Sequence, residues 1–74
     1  MNWPVKVYSV DEAVEKAKHG SYPFEVKGIF APLFSLGSRK IARNEDELRD
    51  FVQKALEACQ LRLPNKPEAE IEPA

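Results

Sequence analysis

Leu48, Phe51, Val52, Ala55, Leu56 and Cys59 recur three and four residues apart, the most regular apolar spacing in this 74-residue chain. That period belongs to a helix with one oily stripe, and such a stripe needs a second layer to press against. Asn44 stands just ahead of it and Glu47 three residues on, the pattern of a reciprocal cap at a helix start. Arg49, Asp50, Gln53, Lys54 and Glu57 fall on the water-facing side. A second cap, Ser9 with Glu12, opens a shorter stripe of Val10, Ala13, Val14 and Ala17. Its small alanines allow a close approach to a sheet. Lys16, Lys18 and His19 load its negative end, and Gly20 is expected to close it in a left-handed conformation. The spacing predicts a helix from about Val10 to His19.

Between and around these helices the period changes to two. Val5, Lys6, Val7 and Tyr8 alternate as a short strand, with Pro4 at its first position and Trp3 packing on the core edge. Phe24, Val26, Gly28 and Phe30 share one face of a second strand, and Glu25, Lys27 and Ile29 share the other. Arg39 to Arg43 alternates as a third, edge-like strand guarded by its basic residues. The expected fold is therefore α+β, in the order β-α-β-β-α. It has a small antiparallel sheet of about three strands, the middle two forming a hairpin, with two helices packed on one face. Gln60 to Leu63 adds at most a short extended piece. Residues 1–63 form the single domain. Residues 64–74, PNKPEAEIEPA, hold three prolines, three glutamates and one large aliphatic side chain, and are expected to be a disordered acidic tail.

The 31–38 connection is unusual because Leu33, Phe34 and Leu36 lie in it beside Pro32 and Gly37. These side chains either fold back onto the domain or, with Phe30, form an apolar patch for another protein or a second copy of this chain. A formal net charge of −1 provides no bulk field for nucleic acid or anionic lipid. The apolar runs are too short to span a bilayer, the first residues lack the pattern of a signal peptide, and a cytoplasmic location is expected. The single cysteine excludes an internal disulfide.

No set of residues is spaced as a catalytic or metal site. His19 reads as part of a helix end, Cys59 as a continuation of the apolar stripe, and Glu45, Asp46 and Glu47 as carboxylates matched to the positive end of a helix. Lys27, Arg39, Lys40 and Arg43 are the one local concentration of positive charge. The bland reading is a solvated strand edge; the sharper one, through Arg39, Lys40 and Arg43, is RNA.

From Ser9 to Cys59 the order of elements resembles part of the ATP-grasp region of the carbamoyl-phosphate synthetase large subunit. The residues that carry the likeness are the capped first helix, the turn Gly20-Ser21-Tyr22-Pro23, the strand reaching Lys27, the loop ending Leu36-Gly37-Ser38-Arg39, and the helix with Glu47-Leu48-Arg49, Phe51, Gln53 and Ala55. The resemblance implies the small lobe that closes over ATP, with Lys27 on the phosphates and Gly37, Ser38 and Arg39 as the remnant of the loop. This chain departs from that pattern where the family loop is rich in glycine: Pro32, Leu33, Phe34 and Leu36 stand there instead, and a proline offers no amide to a phosphate. The magnesium-holding residues of the family belong to another lobe. With that departure the resemblance implies a non-catalytic stand-alone domain, with ATP as a cofactor by likeness alone, and the apolar loop gives it the expected role of docking another protein or a second copy. A nucleotide- or phosphate-binding accessory domain is the alternative.

Overall fold

The computed structural model describes residues 2–28, 40–60 and 67–74. Within them the chain forms β1 (Val5–Val7), α1 (Val10–Ala17), β2 (Phe24–Gly28), β3 (Lys40–Ala42), α2 (Glu45–Gln60) and β4 (Ala69–Pro73). The four strands make one sheet in the order β1-β4-β2-β3, with every neighbouring pair antiparallel. The α+β class, the β2–β3 pairing and the helices on one face of the sheet are as the sequence predicts. The sheet has four strands because β4 lies within the stretch read as an acidic tail.

Both helices start as their caps dictate, with one shift. Ser9 Oγ accepts the Glu12 N–H at 3.1 Å, and Asn44 Oδ1 accepts the Glu47 N–H at 2.9 Å. The returning carboxylates reach one residue further back than the capping-box pattern places them. Glu12 Oε1 accepts from Tyr8 N–H at 2.6 Å and Glu47 Oε1 from Arg43 N–H at 2.8 Å. Each glutamate carboxylate thus ties the residue just after a strand, Tyr8 after β1 or Arg43 after β3, to the helix that follows. The glutamate's own N–H, one of the donors a helix start leaves open, is taken by Ser9 or Asn44.

α1 ends at Ala17, two residues before the expected His19, in a turn where Lys18, His19 and Gly20 donate their N–H groups to Glu15, Lys16 and Ala17 carbonyls at 3.1–3.2 Å. Gly20 does not adopt the left-handed backbone. Space is what requires a glycine: a Cβ there would lie 2.9 Å from Trp3 Cζ2 and 3.2 Å from Phe24 Cζ. Trp3 packs over this point as a core-edge residue, its ring centre 5.5 Å from that of Phe24.

The core is the layer between sheet and helices. Val7, Phe24, Val26, Ala42, Ala69 and Ile71 supply it from the strands, and Ala13, Val14, Ala17, Leu48, Val52 and Ala55 from the helices. Cys59 is fully buried, as the stripe requires. Register explains the choice of residues. Ile71 stands opposite Val5 on one side and Val26 on the other, while Ala69 stands opposite Val7 and Gly28. Ile71 fills its row between two valines, while Ala69 and Gly28 beside Val7 leave room in the next for the helices to settle on the sheet.

β4 is the correction to the sequence reading. Pro, Glu and a single isoleucine in isolation cannot order themselves, but a strand inserted between two others needs only to fit. Ala69 and Ile71 are wholly buried. The Ala74 N–H donates to the Pro23 carbonyl at 2.9 Å, which phases the ladder so that Glu70 and Glu72 direct their amides to β2. The nitrogen of Pro73 then faces the β1 side, beyond Val5 where β1 begins, and its missing N–H breaks no pairing. Residues 61–66, including the extended piece expected up to Leu63, lie outside the described residues.

Candidate functional site

Lys27 is the one expected phosphate contact within the described residues. β2 alternation turns it away from the helices, and the register shows what it meets there. Lys6, Glu70 and Lys27 form one row across β1, β4 and β2; Glu72, Glu25 and Ile41 form the next across β4, β2 and β3. Glu25 and Glu72 stand directly opposite each other, an unfavourable like-charge pair. Lys27 offsets it by reaching diagonally, with Nζ 2.9 Å from Glu72 Oε1. The hydrogen bond to Glu72, then the charges of Glu72, Glu25 and Glu70, hold the Lys27 ammonium above its ordinary pKa. Among the described residues this face carries Glu25, Glu70 and Glu72 together with Lys6 and Lys27, and the carboxylates stabilise the Lys27 ammonium in place.

The other members of the expected phosphate site, Gly37, Ser38 and Arg39, lie outside the described residues. So does the whole expected interaction patch: Phe30, Leu33, Phe34 and Leu36. Of the basic set weighed for RNA, Lys40 lies opposite Val26, on the core side of the sheet at its β3 edge, and is half-buried. Lys27 points to the opposite side, so these two cations do not share a surface. Arg43 is exposed at the end of β3, where its amide serves the cap of α2. Lys6, Glu25, Glu70 and Glu72 escaped the sequence reading as a site. Their signal was present in the period-two alternation of Ala69-Glu70-Ile71-Glu72, but the partner strands are distant in sequence.

Glu45 bonds Arg49 Nε at 3.1 Å, and the same guanidinium reaches Asp11 Oδ1 at 3.6 Å, linking the two helix starts across the surface. Glu47 is used in the cap. Among the described residues no group of His, Cys, Asp and Glu is placed to hold a metal ion. Cys59 Sγ accepts the Glu68 N–H at 3.4 Å, anchoring the entry to β4. His19 is exposed in the turn after α1 and lines an open cleft of about 400 Å³ with Glu15, Lys16 and Lys18. Lys18 is paired there with Glu15 at 3.1 Å. No described helix is long and apolar enough to cross a membrane.

Tyr22 packs edge-on against Phe24, ring centres 5.0 Å apart. Burial, reinforced by Glu45 and opposed by Arg49, raises its phenol pKa. Lys27 and Tyr22 are both raised in the folded state, so the folded chain holds these protons more tightly than the unfolded one. Their stabilisation is complete below about pH 10 and is lost as pH rises through the folded values. The thermal midpoint is expected to fall between about pH 9 and about pH 11, and to fall less in Tyr22→Phe. Equal falls in the two proteins would exclude a contribution from Tyr22.

No family model, no curated protein and no solved structure matches the chain.

Proposed function

We propose that this chain is a non-catalytic protein-interaction domain, related to the small ATP-grasp lobe of the carbamoyl-phosphate synthetase large subunit. It docks a partner protein or a second copy of itself through Phe30, Leu33, Phe34 and Leu36. The observation that supports this over nucleotide binding is the Lys27–Glu72 ion pair. The cation that the resemblance assigns to phosphate is engaged by a neighbouring strand and flanked by two further carboxylates. A nucleotide would have to displace Glu72 and then approach Glu25 and Glu70. The sequence between β2 and β3 is apolar where a phosphate loop needs small residues and free amides, which favours contact with another oily surface.

The test pairs two measurements. Light scattering over rising concentration is expected to show a mass above the 8.4 kDa monomer, returning to it in Phe34→Asp with the circular dichroism unchanged. Equal masses for the two proteins would remove self-docking through this segment. Millimolar ATP is expected to leave the amide resonances of Lys27, Gly37 and Ser38 where they are. A saturable shift at those amides would overturn the reading in favour of a nucleotide-binding accessory domain.

A further inference from the structure

The sheet order places β4 between two strands that precede it by a long way in the chain. β1 and β2 run parallel, each antiparallel to β4, and are separated by the width of one strand. At about 4.8 Å per strand spacing they are about 10 Å apart and cannot bond to each other. Without β4 they form a slot with backbone donors and acceptors on both walls.

The slot is specific in three ways. Its apolar side takes a small residue between Val7 and Gly28 and a large one between Val5 and Val26, the places of Ala69 and Ile71. Its outer side sets a carboxylate between Lys6 and Lys27, the place of Glu70, and a second within reach of Lys27, the place of Glu72. Its ends are marked by the Cys59 thiol, which receives the Glu68 amide, and by the Pro23 carbonyl, which receives that of Ala74. All these contacts come from β4 and the few residues around it. They would be made equally well by the same segment of another copy.

We propose that β4 exchanges between copies: the Glu68–Ala74 segment of one chain fills the slot between β1 and β2 of a second, and the second returns its own. The fit of the Ala-Glu-Ile-Glu pattern to the slot commits the occupant to this sequence. The exchange uses none of the residues of the 29–39 connection and stands apart from the docking proposed above. Because the closed monomer supplies its own strand at an effective concentration of about millimolar, exchange is expected to emerge as the protein concentration approaches that value.

The test uses full-length chains in a Cys59→Ala background, one carrying Lys27→Cys and the other Glu70→Cys. These positions are direct cross-strand partners on the open face. After joint unfolding, concentrated refolding and mild oxidation, a mixed disulfide dimer is expected to dominate over either homodimer, and to do so equally when Phe34→Asp is present in both chains. Lys6→Cys with Glu72→Cys, two residues out of register across β1 and β4, is expected to give no such excess. As a second measurement, the Phe34→Asp chain, unfolded and then refolded at high concentration, is expected to yield a species of twice 8.4 kDa that returns slowly to monomer on dilution. A mixed disulfide no more abundant than in the out-of-register pair would overturn the proposal, as would monomer alone after refolding of the Phe34→Asp chain.

Discussion

A chain that stops at Lys66 is expected to lose its cooperative thermal transition altogether. β4 contributes the wholly buried Ala69 and Ile71, and it is the strand through which β1 joins the sheet. Ile71→Ala alone is expected to cost about 2–5 kcal/mol, because the cavity opens between two walls that cannot both collapse into it. A domain of this size is stable by about 4–11 kcal/mol at ~0.05–0.15 kcal/mol per residue, so that single change removes a large share. Its midpoint should fall by about 10 °C or more. Glu72→Gln, which keeps the strand and weakens an exposed ion pair, should move it far less. A truncated chain with an unchanged melting curve would show that β4 does not hold the sheet together.

Phe24→Ala is expected to have the second largest effect, about 3–5 kcal/mol. Phe24 is fully buried at the first position of β2, opposite Ala42 on β3 and Pro73 on β4. Its ring also meets Trp3 and Tyr22, and it is one of the two groups that leave no room for a Cβ on Gly20. Removing it opens the core at the point where β1, the end of α1 and β2 converge. Phe24→Leu, which restores most of the volume without the ring contacts, should recover more than half of the loss. Chemical denaturation of both variants measures this directly, and equal destabilisation by Leu and Ala would mean that the ring contacts, not the filled volume, set the cost.

The elements that could be read from the chain are those whose stabilising partners lie nearby in sequence. Ser9 with Glu12 and Asn44 with Glu47 announce both helices within four residues, and the stripe from Leu48 to Cys59 identifies the main core helix without reference to anything else. Phe24 and Val26 likewise declare a strand with one oily face. β4 could not be read this way. Ala69 is too small to mark a buried position, Pro67 and Pro73 flank the alternation, and composition weighs a segment as though it stood alone. Its stability is conferred by Val5, Val7 and Val26 on either side, residues far away along the chain.

Lys27 was identifiable as an outward-facing cation on β2, but its meaning changes once Glu72 arrives on the next strand. Sequence proximity grouped Lys27 with Lys40, and the register separates them: Lys40 is opposite Val26, on the core side. Local charge counts cannot distinguish a basic patch from cations distributed over two sides of a sheet. The strand register can.

Trp3 is the single tryptophan of the chain. It stands just ahead of β1, over Gly20 at the end of α1, with its indole against the Phe24 ring. Its fluorescence is therefore a native optical probe of the seam where the first strand, the first helix and the hairpin meet. If β4 leaves its place, the strand beside Trp3 loses its backbone partner, and the indole should emit further to the red without any dye or label.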